Sequence, residues 1–132
     1  MTSRGRILAA YAHKPVDRIP CSPKIYAYLL ELYGQCGIDA RTTLTPPPVG
    51  DVDLGEVKRR IGDRVCLMGY VDLHYVIKLG TPDLIARTVR AAIETAGPAG
   101  FILGTYDSIR DGTSIENVRA YLDASRKYGK PK

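Results

Sequence analysis

One local pattern constrains this chain more than any other: a short apolar run, a polar turn, and a helix, occurring twice. The first copy starts where a helix should stop, at Gly62. Arg64–Val65–Cys66–Leu67–Met68 reads as a short buried strand, Gly69–Tyr70–Val71–Asp72 as the turn out of it, and a helical stretch follows near 73–78. The second copy is Phe101–Ile102–Leu103–Gly104, then Thr105–Tyr106–Asp107, then a helix from Ser114. Strands that alternate with helices pair in parallel, because the return path between them is a helical crossover. In such sheets ligands are handled where the strands end, since the following loops meet on one face. Tyr70, Asp72, Tyr106 and Asp107 are therefore the first candidates for function.

The remaining elements fit the same plan. Residues 3–13 have helical spacing, with Ser3 as cap and Ile7, Leu8 and Tyr11 on one face. Asp17 to Cys21 is extended, flanked by prolines. Ser22–Pro23 opens a second helix carrying Ile25, Leu29, Leu32 and Tyr33. A strand is expected over Ile38–Leu44, and Thr45–Pro46–Pro47–Pro48–Val49–Gly50–Asp51 as a stiff loop. Asp53 can cap a helix over 54–61 whose Leu54, Val57 and Ile61 face inward. Thr81–Pro82–Asp83 opens the clearest helix, with the stripe Ile85, Val89, Ala92, Ile93 and Ala96, and Gly97–Pro98 stops it. Thr113 and Glu116 have capping-box spacing ahead of Ile115, Val118 and Leu122.

Length and composition bound the rest. At 132 residues the chain is one domain, expected to be α/β with three or four parallel strands. An open sheet of that size leaves edges and one apolar face uncovered. The net charge of +5 comes from scattered Lys and Arg, and the tight group Lys58–Arg59–Arg60 reads as a solvated helix face rather than a nucleic-acid surface. Cys21, Cys36 and Cys66 are odd in number and show no ligand spacing, and His13 and His74 lie far apart in sequence. Free thiols, no metal, no membrane span and a cytoplasmic location are the expectations.

Several ordered segments resemble one family. Gly50–Asp51–Val52–Asp53–Leu54, Lys58 to Asp63, Met68–Gly69–Tyr70–Val71–Asp72, Leu79–Gly80–Thr81–Pro82 and Gly100–Phe101–Ile102–Leu103–Gly104 follow one another as in the C-terminal part of the uroporphyrinogen decarboxylase superfamily. So do Thr113, Glu116–Asn117–Val118 and Arg126–Lys127–Tyr128–Gly129. The opening Arg6–Ile7–Leu8, His13–Lys14–Pro15 and Asp17–Arg18–Ile19–Pro20 resembles the family's N-terminal segment. The resemblance implies a partial TIM-type (β/α) barrel, with 1–36 as the N-terminal segment, 37–132 as the C-terminal one, and the middle of the barrel absent. It implies porphyrin-pathway decarboxylation, or methyl transfer involving a corrinoid (cobalamin). The decarboxylase motif of substrate-gripping arginines is not evident, and neither is the zinc set of some methyltransferases. Thr105 stands near the decarboxylase's histidine, and Tyr70 replaces the usual Asn of the Gly-Asn-x-Asp turn.

Each candidate has two readings. Asp107 could act as a base or orient a donor, or simply cap local amides. Tyr106 could stack on a planar ring, donate a hydrogen bond, or pack at the sheet rim. Tyr70, Asp72, Asp51 and Arg110 are candidates for substrate binding. Capping would account for Asp72 and Asp51, and simple exposure for Arg110. The partners expected are a tetrapyrrole or a small methyl donor or acceptor, and a second chain, which could be another copy, that completes the barrel. An inactive remnant or assembly module is the alternative to an enzyme.

Overall fold

In the computed structural model, residues 1–20 and 38–130 are described. The expected helix at 22–34, with Cys21 and Cys36, lies outside them. Three parallel strands form one sheet in the order β1-β2-β3: β1 is Ala40–Leu44, β2 is Cys66–Val71 and β3 is Phe101–Thr105. Around them lie helix α1 (Ser3–Tyr11), α2 (Leu54–Ile61), a π-helical segment (Leu73–Lys78), α3 (Pro82–Ala96) and α4 (Ile115–Tyr128). This is a partial TIM-type barrel.

Local chemistry sets the helix starts. Asp53 caps α2 by accepting from the Glu56 amide at 2.8 Å, and Thr81 caps α3 by accepting from the Leu84 amide at 3.3 Å. Two expected caps shift by one residue. Thr2, not Ser3, caps α1, and Ser114, not Thr113, caps α4 by accepting from the Asn117 amide at 3.1 Å. The Thr113 hydroxyl is used elsewhere, donating to the Arg110 carbonyl at 2.8 Å.

The largest correction concerns β2. Gly69–Tyr70–Val71 is not a turn but the end of the strand, with Tyr70 in register with Gly104 and Val71 with Thr105. Pairing with β3 keeps the backbone extended past the point where the apolar run ends. It does so with positive φ at Gly69 (107°) and Tyr70 (85°), and β1 has a matching irregularity at Thr43 (φ 59°). The strand therefore turns only after Asp72.

The two sheet faces differ. Leu44, Leu67, Phe101 and Leu103 pack under α2 and the end of α3, with Leu54, Val57, Ile61, Ala92 and Ala96. Val71 joins Ile77, Ile85, Val89 and Ala124, so that α3, α4 and the π-helical segment close over the end of β2. Each such aliphatic residue taken out of water contributes about 1.5–3 kcal/mol. The other face is built from Ala40, Cys66, Met68 and Ile102, and α1 covers it with Ile7. The expected uncovered face is thus partly covered. Within α1 only Ile7 of the expected stripe is buried, while Leu8 and Tyr11 are exposed. Among the described residues no helix is long and apolar enough to cross a membrane.

Candidate functional site

The C-terminal ends of β2 and β3 lie side by side, and four of the six candidate residues follow from them. Asp72 is buried at 2% exposure directly after β2. Its Oδ1 accepts from the Tyr75 amide at 2.6 Å and so starts the π-helical segment. Its Oδ2 is equally buried and accepts no hydrogen bond. Capping therefore accounts for half of this carboxyl group and leaves the other half unexplained. A buried polar atom with no partner costs about 1–3 kcal/mol.

Beside it, the Tyr106 amide donates to the Val71 carbonyl at 3.2 Å, which holds the loop after β3 against the end of β2. Partial burial, and then the negative charges of Asp72 and Asp107, raise the Tyr106 hydroxyl above its ordinary pKa. It keeps its proton at neutral pH and is a hydrogen-bond donor there. Asp107 caps its own turn, accepting from the Ser108 amide at 2.8 Å, and its Oδ2 accepts from the Arg110 guanidinium at 3.1 Å. Arg110 is exposed at its tip, so this pair contributes little to stability. The Thr105 hydroxyl donates to the Asp107 carbonyl, and Lys78 Nζ donates to the Asp111 carbonyl at 3.0 Å. The loop is thereby tied to both β3 and the π-helical segment.

Tyr70 and Asp51 do not join this group. The Tyr70 side chain packs with the α2 cluster, where burial raises its pKa, the Leu54 amide lowers it, and the charge of Asp53 raises it again. Two successive positive-φ residues redirect it away from Asp72. Asp51 is exposed in the loop before α2, and the cap it could have supplied is provided by Asp53.

The sequence reading missed two rings. Tyr75 and His74 stand exposed on the first turn of the π-helical segment, their rings edge to face at 4.9 Å, and the Tyr75 hydroxyl also influences Tyr106. The Asp72-x-x-Tyr75 spacing was the available signal, because a cap draws the third residue onward to itself. A second charged cluster, at the opposite end of the sheet, was missed as well. Arg6 pairs with Asp17 (Nε–Oδ1 2.6 Å) and with fully buried Asp39, which also pairs with Arg18 at 2.8 Å. Among the described residues there is no group of three or more His, Cys, Asp or Glu that could hold a metal ion.

The profile of the uroporphyrinogen decarboxylase (URO-D) family matches residues 27–128. This chain belongs to the uroporphyrinogen decarboxylase family. It is 28% identical over 81 residues to the uroporphyrinogen decarboxylase of Dechloromonas aromatica (strain RCB), covering 60% of this chain and 22% of that one. It is 32% identical over 79 residues to that of Thioalkalivibrio sulfidiphilus (strain HL-EbGR7), covering 59% and 22%. The chain thus spans about a fifth of the length of these curated relatives. A methyltransferase from Methanosarcina mazei has the same fold at a TM-score of 0.69 and 22% identity, over 86% of this chain and 32% of that structure. Uroporphyrinogen decarboxylase family membership and the partial barrel therefore agree.

Proposed function

We propose that this uroporphyrinogen decarboxylase family chain supplies part of a ligand face for a tetrapyrrole-related ring, for decarboxylation or for methyl transfer. The observation that carries the reading is the convergence of Asp72, Tyr106, Asp107 and Arg110 on one sheet edge, in the loops where barrel enzymes do chemistry. Tyr106 and Asp107 are the catalytic candidates. When a carboxylate leaves as carbon dioxide, the electron pair stays on carbon and needs a proton. Tyr106, held protonated, is the donor available at this edge. Asp107 and its partner Arg110 orient that end of the loop.

For methyl transfer, the ring proposed here is a corrinoid. The rings of Tyr75 and Tyr106 offer flat apolar surface on which one face of a macrocycle can stack. A bound corrinoid would supply a carrier for the methyl group, and the chain's own part is to hold and orient it.

Three strands do not close a barrel, and this favours a second reading in which the chain acts as an assembly module with another copy or a longer relative. Sedimentation of the purified protein, alone and with cobalamin or uroporphyrin, tests both. A compact assembly that carries either ring supports the ligand-face reading. A well-folded protein that binds neither ring, yet associates tightly with a full-length family member, overturns it in favour of the assembly module.

A further inference from the structure

The concave side of the sheet has a feature that its own packing does not require. Along β3, Phe101 and Leu103 point to the helix side, while Ile102 packs with Met68, Cys66 and Ile7 on the other. By the two-residue alternation of a strand, Gly104 faces the same side as Ile102, one step nearer the ligand edge. Its φ is not in the left-handed region. Among the described residues, a methyl group there would meet only Gly69, at 3.5 and 3.6 Å, which is ordinary contact. The fold would accept alanine, and glycine inside a strand costs about 0.5–1 kcal/mol relative to it. What glycine provides at this position is room, next to a ligand edge.

Two residues beyond Tyr70, the register partner of Gly104, lies Asp72, buried, with Oδ2 unpartnered. The rings around it are Tyr106, whose hydroxyl feels the Asp72 charge, and Tyr75 and His74 on the adjoining turn. Asp107 is paired with Arg110, whereas Asp72 is a buried acid with no cationic partner among the described residues. A buried carboxyl oxygen calls for an N–H donor, and aromatic rings attract organic cations at their faces.

We propose that Asp72 Oδ2, with Gly104 as the open floor and Tyr106 and Tyr75 as the walls, forms a subsite for a small organic ammonium group carrying at least one N–H. The subsite rests on reading this edge as the ligand face, and it assigns to the smaller reaction partner a chemistry distinct from that of the ring. Tyr106 lies on the loop after β3 and is only partly buried, and admission of the cation requires its side chain to swing aside.

Calorimetric titration of the protein with trimethylammonium chloride near pH 7 is the test, with tetramethylammonium as the same shape without an N–H. Saturable binding of trimethylammonium is expected, at least tenfold tighter than that of tetramethylammonium. Asp72→Asn keeps an oxygen to cap the Tyr75 amide, and should weaken binding tenfold or more while the melting temperature stays within a few degrees. Gly104→Val should abolish binding in a protein that still melts cooperatively. Equal binding by Asp72→Asn, or no saturable binding of either cation, overturns the subsite. A parallel titration with cobalamin separates the two proposals. Ring binding without cation binding sinks the ammonium subsite alone, and failure of both sinks the ligand face itself.

Discussion

Asn117 has the clearest structural duty of any single residue. It is buried at 6% exposure, and its Nδ2 donates to the carbonyls of Ile77 and Gly80, both at 2.9 Å. Those are the carbonyls that the end of a π-helical turn leaves without partners. One amide group thereby pins α4 to the segment that carries His74 and Tyr75. Asn117→Leu would leave both carbonyls buried and unpaired, and urea denaturation should show a loss of about 2–4 kcal/mol. Nothing in the sequence marked this role. The Glu116–Asn117–Val118 run was readable as part of a helix and of a family pattern, but a side chain that bonds to a backbone some 40 residues away leaves no local trace. Asp72 was readable in part, because a cap is a local event, whereas the burial of its second oxygen depends on tertiary packing.

Among the elements, β2 differs most from its sequence. The run from Val65 to Met68 is legible, since a short continuous apolar stretch bounded by glycines is a local signal. Its continuation through Gly69–Tyr70–Val71 is not, because β3 imposes it by pairing. The result is a tyrosine at φ 85°, a conformation in which a bulky side chain is strained by about 1–3 kcal/mol. Tyr70→Asn should relieve part of that strain, because Asn tolerates the left-handed region, at the cost of the contacts Tyr70 makes with the α2 cluster. The two effects are comparable, so thermal melting should place Tyr70→Asn within about 1 kcal/mol of the parent. Tyr70→Val keeps the strain, gains no relief and loses the ring, and should be the less stable of the two. The reverse order would mean that the backbone there is not strained. Helices α2 and α3 were legible, because Asp53 and Thr81 cap where their spacing says they should, and Leu54, Val57, Ile61, Ile85 and Val89 are buried as the period demands.

At the scale of the whole molecule, charge is distributed between the two ends of the sheet. At the N-terminal end, Arg6, Asp17, Arg18 and Asp39 tie α1 and the loop after it to the start of β1. The Arg6 guanidinium, and then the terminal amine, hold the Asp17 carboxyl well below its ordinary pKa. A carboxyl depressed by folding contributes stability that is fully present above its unfolded pKa and lost as pH falls through the folded one. The structure should therefore weaken as pH drops below about 4, the ordinary carboxylate range. Circular dichroism between pH 6 and 2 should show that loss, and Asp17→Asn should flatten it. An unchanged acid transition in Asp17→Asn would remove Asp17 from its cause. The C-terminal end of the strands is held together differently, by backbone bonds and one partly satisfied acid, and the sequence pointed to that end because strands finish there. The ionic cluster was illegible, since Arg6, Asp17 and Asp39 are spread over 33 positions and meet only once α1 has folded back onto the sheet.

The π-helical segment can also be viewed as arithmetic. Its bonds run from the Ile77 amide to the Asp72 carbonyl at 3.1 Å and from the Leu79 amide to the His74 carbonyl at 3.0 Å, five residues back rather than four. One residue more than an α-helix would use is wound into the same rise. Removing one residue while the five-back bonding persists would turn everything downstream by roughly a quarter of a turn about the helix axis. Lys78 would then swing away from the Asp111 carbonyl, and the loop bearing Asp107 and Arg110 would lose its tether. The distance between a tethered and an untethered loop after β3 in this protein is a single codon.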